Sequence, residues 1–198
     1  SNALAIAVSQ AIGYTAQFGS NAKGIQTGFA ARAGFEAAVL AKSGATGNLD
    51  IIESDSGFFA LLGQHDRDHI NLIEDKIGKK WALLEHGLYL KPWPSCGYTH
   101  RAITAALDIR EKLNNQLDHI TEVQVIMPDF HYAILPFKIP QNHNEALFSL
   151  PACLAKILID GTLTLKDYEN SFWEKSEIRQ LIKKVFVKTE PARNLSLN

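Results

Sequence analysis

Between Gly24 and Lys42 the chain carries glycine or alanine at positions 28, 30, 31, 33, 34, 37, 38 and 41 inside a helical pattern. A helix with so small a face lets another helix approach closely, which pushes this part of the chain toward helix-on-helix packing. Phe29, Phe35, Val39 and Leu40 supply bulk, and the pattern predicts an internal helix of a helical bundle. Ser43 to Asn48 end it with turn-forming residues. Residues 4–17, rich in alanine and isoleucine, read as the end of a buried helix, and Gly19 to Gly24 as a break.

The composition then shifts from alanine-rich to mixed and charged, and a domain boundary is expected near residues 63–80. A short apolar segment, Gly57 to Gly63, precedes it, and a polar helix is expected from Asp66 to Ile77. Leu83 to Leu90 suits a strand or extended segment. A helical stripe of Ile103, Ala106, Leu107, Ile109, Arg110 and Leu113 predicts a helix over 99–115. Ile120 to Met127 alternates as a strand that Pro128 stops. A buried helix over 146–159 ends at Asp160-Gly161. Two short helices, 165–173 and 176–183, and a last strand, 185–188, complete the series. The expected class is α+β: the end of an all-helical domain at 4–63, an α+β domain at 64–190, and a loose tail at 191–198.

The balance of 20 basic and 21 acidic residues gives a net charge of −1, so no general electrostatic attraction to nucleic acid or an anionic membrane is expected. Leu4 to Val8 is apolar but too short to span a bilayer. The two cysteines, Cys96 and Cys153, lack CxxC spacing, which argues against a disulfide framework or a zinc site and fits a reducing, cytoplasmic setting. Neither has a base nearby in sequence, and both read as buried or half-buried thiols. His65 and His69, four apart, lack a third ligand and HExxH-like spacing and read as surface histidines. No metal and no nucleotide motif is expected. Ser1-Asn2-Ala3 reads as a tag remnant. Met127 is the only methionine, and the chain is read as the interior of a longer protein.

Chemistry concentrates in Leu90-Lys91-Pro92-Trp93-Pro94-Ser95-Cys96-Gly97-Tyr98-Thr99-His100. Pro92 and Pro94 stiffen the chain around Lys91, so the lysine loses less entropy when held in one place. Thr99 is placed to cap the following helix, whose first amides suit an anion. Lys91, His100 and that helix start together suit a carboxylate-bearing substrate. The same residues also fit a solvated lysine, a capping threonine and a structural histidine. Lys23 stands near the start of the small-residue helix, where the helix dipole disfavours a cation, so either function or simple exposure explains it.

Three stretches, in order and spacing, resemble the MmgE/PrpD family. Phe18-Gly19-Ser20-Asn21-Ala22-Lys23 through Gly34 is similar to that family's FGTxxK…GxAAxxG helix start. Lys91 to His100 is similar to its K-x-[YF]-P-x-C-x-x-T-H segment. Ala146 to Ala155, through Asp160-Gly161, is similar to its ARFSLPYxxA…DG helix. The resemblance implies a cofactor-free lyase with a helical domain and an α+β lid. Its first-choice reaction is dehydration of a 2-methylcitrate-like acid, with decarboxylation or epimerisation of a related acid as alternatives. By position it makes Lys23, Lys91 and His100 catalytic, and Lys23, Lys91 and Thr99 substrate-binding. The main base would be a histidine upstream of residue 4, so the 198-residue chain alone is expected to be inactive. The expected partners are a small carboxylate substrate and a second copy in a homodimer.

The chain departs from the pattern at Gln26, where the family has histidine, at Leu147, where it has arginine, and at Ala152, where it has tyrosine. These departures motivate a second reading, a non-catalytic carboxylate-binding or interaction protein.

Overall fold

The computed structural model describes residues 1–62, 76, 78–114, 116, 117 and 119–191. The His65/His69 pair lies outside the described residues, as do most of the expected helix over 66–77, most of the boundary near 63–80 and nearly all of the expected tail.

The chain divides into two compact units. One comprises Ser1–Tyr14 and Gly24–Leu90, the other Thr15–Lys23 and Lys91–Asn198. In the first unit, α1 (Asn2–Val8) is capped by the Ser1 hydroxyl, which accepts from the Leu4 amide. The buried-helix expectation for 4–17 holds only in part. Helix α1 stops at Val8, and Ile12 and Tyr14 beyond it are exposed.

Helix α2 (Ala22–Lys42) contributes its first two residues to the second unit and the rest to the first. It forms where the sequence predicts it, but it is not internal. Ala33 and Ala37 are its buried residues, whereas Phe29, Phe35, Val39 and Leu40 are exposed. The reason is length. A helix of 21 residues is about 30 Å long, and the other helices among the described residues of this unit, α1, α3 (Phe58–Leu61) and α4 (Ala82–His86), have 7, 4 and 5 residues.

Of the strand or extended segment expected at 83–90, the first half is instead the helix α4, and residues 87–90 carry no strand, with Leu88, Tyr89 and Leu90 exposed.

The second unit is built on α5 (His100–Lys112), α8 (Leu150–Asp160) and α10 (Ser176–Lys183), together with a two-stranded parallel sheet. Strand β1 (Val123–Pro128) pairs with β2 (Val185–Glu190) in register Val123↔Val185 through Pro128↔Glu190. Among the described residues the architecture is α+β. The alternation at 120–127 gives β1, although Ile120 lies in the turn before it and Pro128 is its last residue rather than its stop.

Every residue of α8 from Leu150 to Leu158 is buried. The caps explain its limits. The Ser149 hydroxyl accepts from the Ala152 amide, Pro151 opens the first turn, and Gly161 closes the helix at φ +73°. A side chain at Gly161 would press on the Arg110 guanidinium, which donates to the Leu158 carbonyl at 2.9 Å. The sequence pattern ran the helix back to Ala146. Ser149 instead splits it into a short α7 (His143–Ala146) and α8. The shorter elements α6 (Asp129–Tyr132) and α9 (Leu165–Glu169), with a 3-10 turn at Phe172–Glu174, connect the rest.

One charge lies inside this core. Lys156, 3% exposed, pairs with Asp160 one turn on and with Asp167 of α9 at 2.8 Å. Asp167 also accepts from the Thr164 amide and hydroxyl as part of a capping box. Burial alone would raise the Asp167 carboxyl, but the Lys156 ammonium and Thr164 outweigh it and hold it below its ordinary value of 3.8. A carboxylate depressed in this way contributes stability above its unfolded pKa and loses it as pH falls through the folded value.

No helix among the described residues is long and apolar enough to cross a membrane. Asp167→Asn is expected to lower the unfolding free energy by about 1–3 kcal/mol at neutral pH, and to flatten the acid limb of a stability–pH curve below about pH 4. Superimposable acid limbs for the two proteins, measured by urea unfolding, would remove this role.

Candidate functional site

The second unit contains a cavity of about 460 Å³ whose lining includes Lys23, Lys91, Phe18, Leu147 and Phe148. Two separate segments build it. Thr15–Gln17 form a 3-10 turn, and Phe18 stacks on Phe148 with ring centroids 4.9 Å apart. Gly19 follows at φ +84°, pressed against Phe137; a Cβ there would lie 2.2 Å from that ring. Glycine is therefore required for this segment to lie down on the unit. Asn144 donates to the Asn21 side chain at 2.8 Å and pins the turn further. The segment ends at Lys23, whose ammonium lies 5.8 Å from the Phe18 ring centre and 5.5 Å from that of Phe148. Both distances suit a cation–π contact.

The other segment is the proline-stiffened loop. The Cys96 amide donates to the Leu147 carbonyl at 2.9 Å, which ties the loop to the short link between α7 and α8. Lys91 Nζ donates to the Ser95 carbonyl at 3.0 Å, so its ammonium is folded back onto its own loop. The Ser95 and Thr99 hydroxyls share a 2.7 Å hydrogen bond, and Thr99 also donates to the Cys96 carbonyl.

Thr99 therefore does not cap α5 with its side chain. A 3-10 turn, Gly97–Thr99, runs directly into the helix with Thr99 already in helical conformation, and its hydroxyl closes the loop instead. Of the four residues singled out by sequence, Lys23 and Lys91 line the cavity. Thr99 and His100 are buried beneath the loop and do not.

His100 packs edge-on to Trp93, with ring centroids 5.4 Å apart. Burial lowers its pKa, and the Lys91 charge adds to this against the opposing hydrogen bonds with the backbone of Ser95 and Trp93. A neutral imidazole in this position supports the lysine-bearing loop. Ser95, Tyr98 and Ile134 also line the cavity and were not singled out from the sequence, although Ser95 and Tyr98 stand inside the Lys91–His100 motif. Cys96 reaches the cavity wall as well. Cys153 is fully buried, and burial pushes its thiol up to about 12, so it is no nucleophile at neutral pH. No cluster of three or more metal-ligating side chains occurs among the described residues.

Family models for the MmgE/PrpD N-terminal domain and the MmgE/PrpD C-terminal domain match residues 1–70 and 93–194. The chain belongs to the MmgE/PrpD family. It is similar to the cis-aconitate decarboxylase of Mus musculus, 30% identical over 195 residues that cover 96% of this chain and 39% of that protein. It is also similar to the cis-aconitate decarboxylase of Homo sapiens, 27% identical over 201 residues, 99% of this chain and 41% of that protein. The chain thus spans about two-fifths of the length of these curated relatives.

The three departures from the MmgE/PrpD pattern occupy different settings. Gln26 lies in the first unit, where its side-chain oxygen accepts from the Tyr14 amide at 2.7 Å. Ala152 is fully buried in α8. Leu147 alone faces the lysine cavity.

Because burial disfavours the imidazolium, His100 is expected to take up its proton below its ordinary value of 6.5 in an NMR pH titration. In the unfolded chain it protonates first, so stability should fall as the pH drops below that value. A midpoint at or above 6.5 in the folded protein would contradict the burial described here.

Proposed function

We propose that this chain forms part of an MmgE/PrpD-type lyase acting on a small carboxylate, with the Lys23–Lys91 cavity facing the substrate. The observation that carries the reading is that two lysines distant in sequence line one cavity that is otherwise mostly apolar. Two ammonium groups beside hydrocarbon walls attract carboxylates more strongly than the same groups in open water.

The chemistry follows from the charge. Dehydration of a 2-methylcitrate-like acid begins by removing a proton from the carbon next to a carboxylate. Decarboxylation, the reaction in the name of the two relatives, breaks a C–C bond and leaves the electron pair on carbon until a proton arrives. Both routes build negative charge that a fixed ammonium stabilises. The resemblance implies that no cofactor is needed, and the base or acid that moves the proton is expected from elsewhere in the full-length protein. On this reading Lys91 and Lys23 bind and stabilise, and His100 is a positioning residue that holds the loop under Lys91. The names of the relatives favour decarboxylation over the dehydration first expected from the sequence.

A second reading, a carboxylate-binding protein without turnover, is favoured by Gln26 and Leu147, which replace a histidine and an arginine of the family pattern. One assay separates the two. The full-length protein is expected to consume cis-aconitate with release of carbon dioxide, or 2-methylcitrate with loss of water. Lys91→Ala and Lys23→Ala are each expected to lower kcat/KM by about a hundredfold or more. Unchanged turnover in Lys91→Ala would remove that residue from the mechanism. Binding of both acids without turnover would leave the second reading.

A further inference from the structure

We infer that a second cavity, between helix α5 and strand β1, binds a monocarboxylate with a long apolar chain. This site is separate from the lysine cavity and does not depend on the reading given to it.

Shape is the first argument. The cavity has a volume of about 640 Å³ and lies wholly within the second unit. Small-molecule sites usually measure roughly 300–1,000 Å³. One wall is α5 from Arg101 to Ile109, about 12 Å of helix. The facing wall is β1 from Val123 to Pro128, about 16 Å of strand. The space between them is therefore a trough. Ala106, Met127 and Leu154, all buried, form its floor. Ile109 and Ile126 flank it with their side chains largely exposed. An alkyl chain laid along the trough would take this apolar surface out of water, which is favourable.

Charge is the second argument. Among the described residues the lining holds Arg101 and no carboxylate. His131 stands beside Arg101, and its ring packs on Tyr98 with centroids 4.4 Å apart. Burial first, and the Arg101 charge second, keep the His131 pKa below its ordinary value of 6.5, so the imidazole is neutral at pH 7. Arg101 is thus the one cation of the described lining. The ion pairs of the described residues use Arg32, Lys80 and Lys156 and leave Arg101 out. Its guanidinium is able to grip one carboxylate through two parallel hydrogen bonds.

Position joins the two arguments. His131 belongs to α6, which directly follows Pro128, so Arg101 and His131 mark the Pro128 end of the trough. A single cation at one end of an apolar trough matches a head group and a tail. A tricarboxylate would set two further charges against hydrocarbon with no cation to receive them, which is unfavourable.

The test compares decanoate with decanol on the full-length protein, by calorimetry and by NMR shifts of the Val125 and Met127 amides. Decanoate is expected to bind about tenfold more tightly than decanol. Arg101→Gln is expected to weaken decanoate about tenfold and to leave decanol unchanged. Ala105→Trp, which fills the trough from the exposed side of α5, is expected to weaken both about tenfold or more. Cys96 and Tyr98 line both cavities, so Lys91→Ala serves as the control and is expected to leave decanoate binding unchanged. No binding of decanoate, or binding no tighter than that of decanol, overturns the inference. So does unaltered decanoate binding in Arg101→Gln and Ala105→Trp proteins that keep the wild-type circular dichroism spectrum. Loss of decanoate binding in Lys91→Ala would move the ligand to the lysine cavity and overturn it as well.

Discussion

The burial of the helix Leu150–Asp160 governs the second unit. Nine consecutive residues, Leu150 to Leu158, are shielded from water, so every neighbouring element is placed by the need to cover them. Ile103 and Ala106 of the His100–Lys112 helix, Ile178 and Ile182 of the last helix, and Tyr168, Phe172 and Val185 join the same core. A helix buried on all sides must also end cleanly, because unpaired terminal amides and carbonyls inside a core are costly. Ser149 and Gly161 meet that need. The Ser149 hydroxyl accepts from the Ala152 amide of the first turn and also donates to the Lys138 carbonyl.

That start of the helix also frames the cavity. Leu147 and Phe148 lie just before the Ser149 cap. The Leu147 carbonyl anchors the loop that carries Lys91, while the Phe148 ring receives Phe18 and the Lys23 ammonium. Core and cavity thus share one stretch of backbone. A change that shifts the helix cap moves both walls of the lysine site, and this couples the stability of the unit to the geometry of its candidate site. His100 and Thr99 belong to the same arrangement from below, where they hold the loop rather than face the cavity.

Parts of this were legible in the sequence because they depend on neighbours along the chain. The stripe Ile103-Ala106-Leu107 gave a helix, the alternation after Ile120 gave a strand, and Asp160-Gly161 gave a helix end. The stiffened loop with Lys91 stood out through its prolines. Thr99 was misread because a hydroxyl before a helix has two uses, capping forward or closing the turn behind it, and residue type does not distinguish them. Leu83 to Leu90 suits a strand or an extended segment by pattern, but its first half is the helix Ala82–His86, because an apolar segment becomes a strand only when another strand pairs with it. The small-residue helix was predicted in place, but its exposure depends on what else is long enough to cover it.

The sequence by itself determined most element types of the second unit, the family and the two lysines worth attention, since period, capping chemistry and motif spacing are local properties. Only the tertiary structure decided that Lys23 and Lys91 share a cavity, that His100 and Thr99 do not enter it, and that Leu147 does. The physical reason is that a cavity is made by segments far apart in the chain. Its members are chosen by packing on the Leu150–Asp160 core, by the close approach that Gly19 permits to Phe137, and by the hydrogen bond from Cys96 to Leu147. None of these is a property of any one stretch of residues.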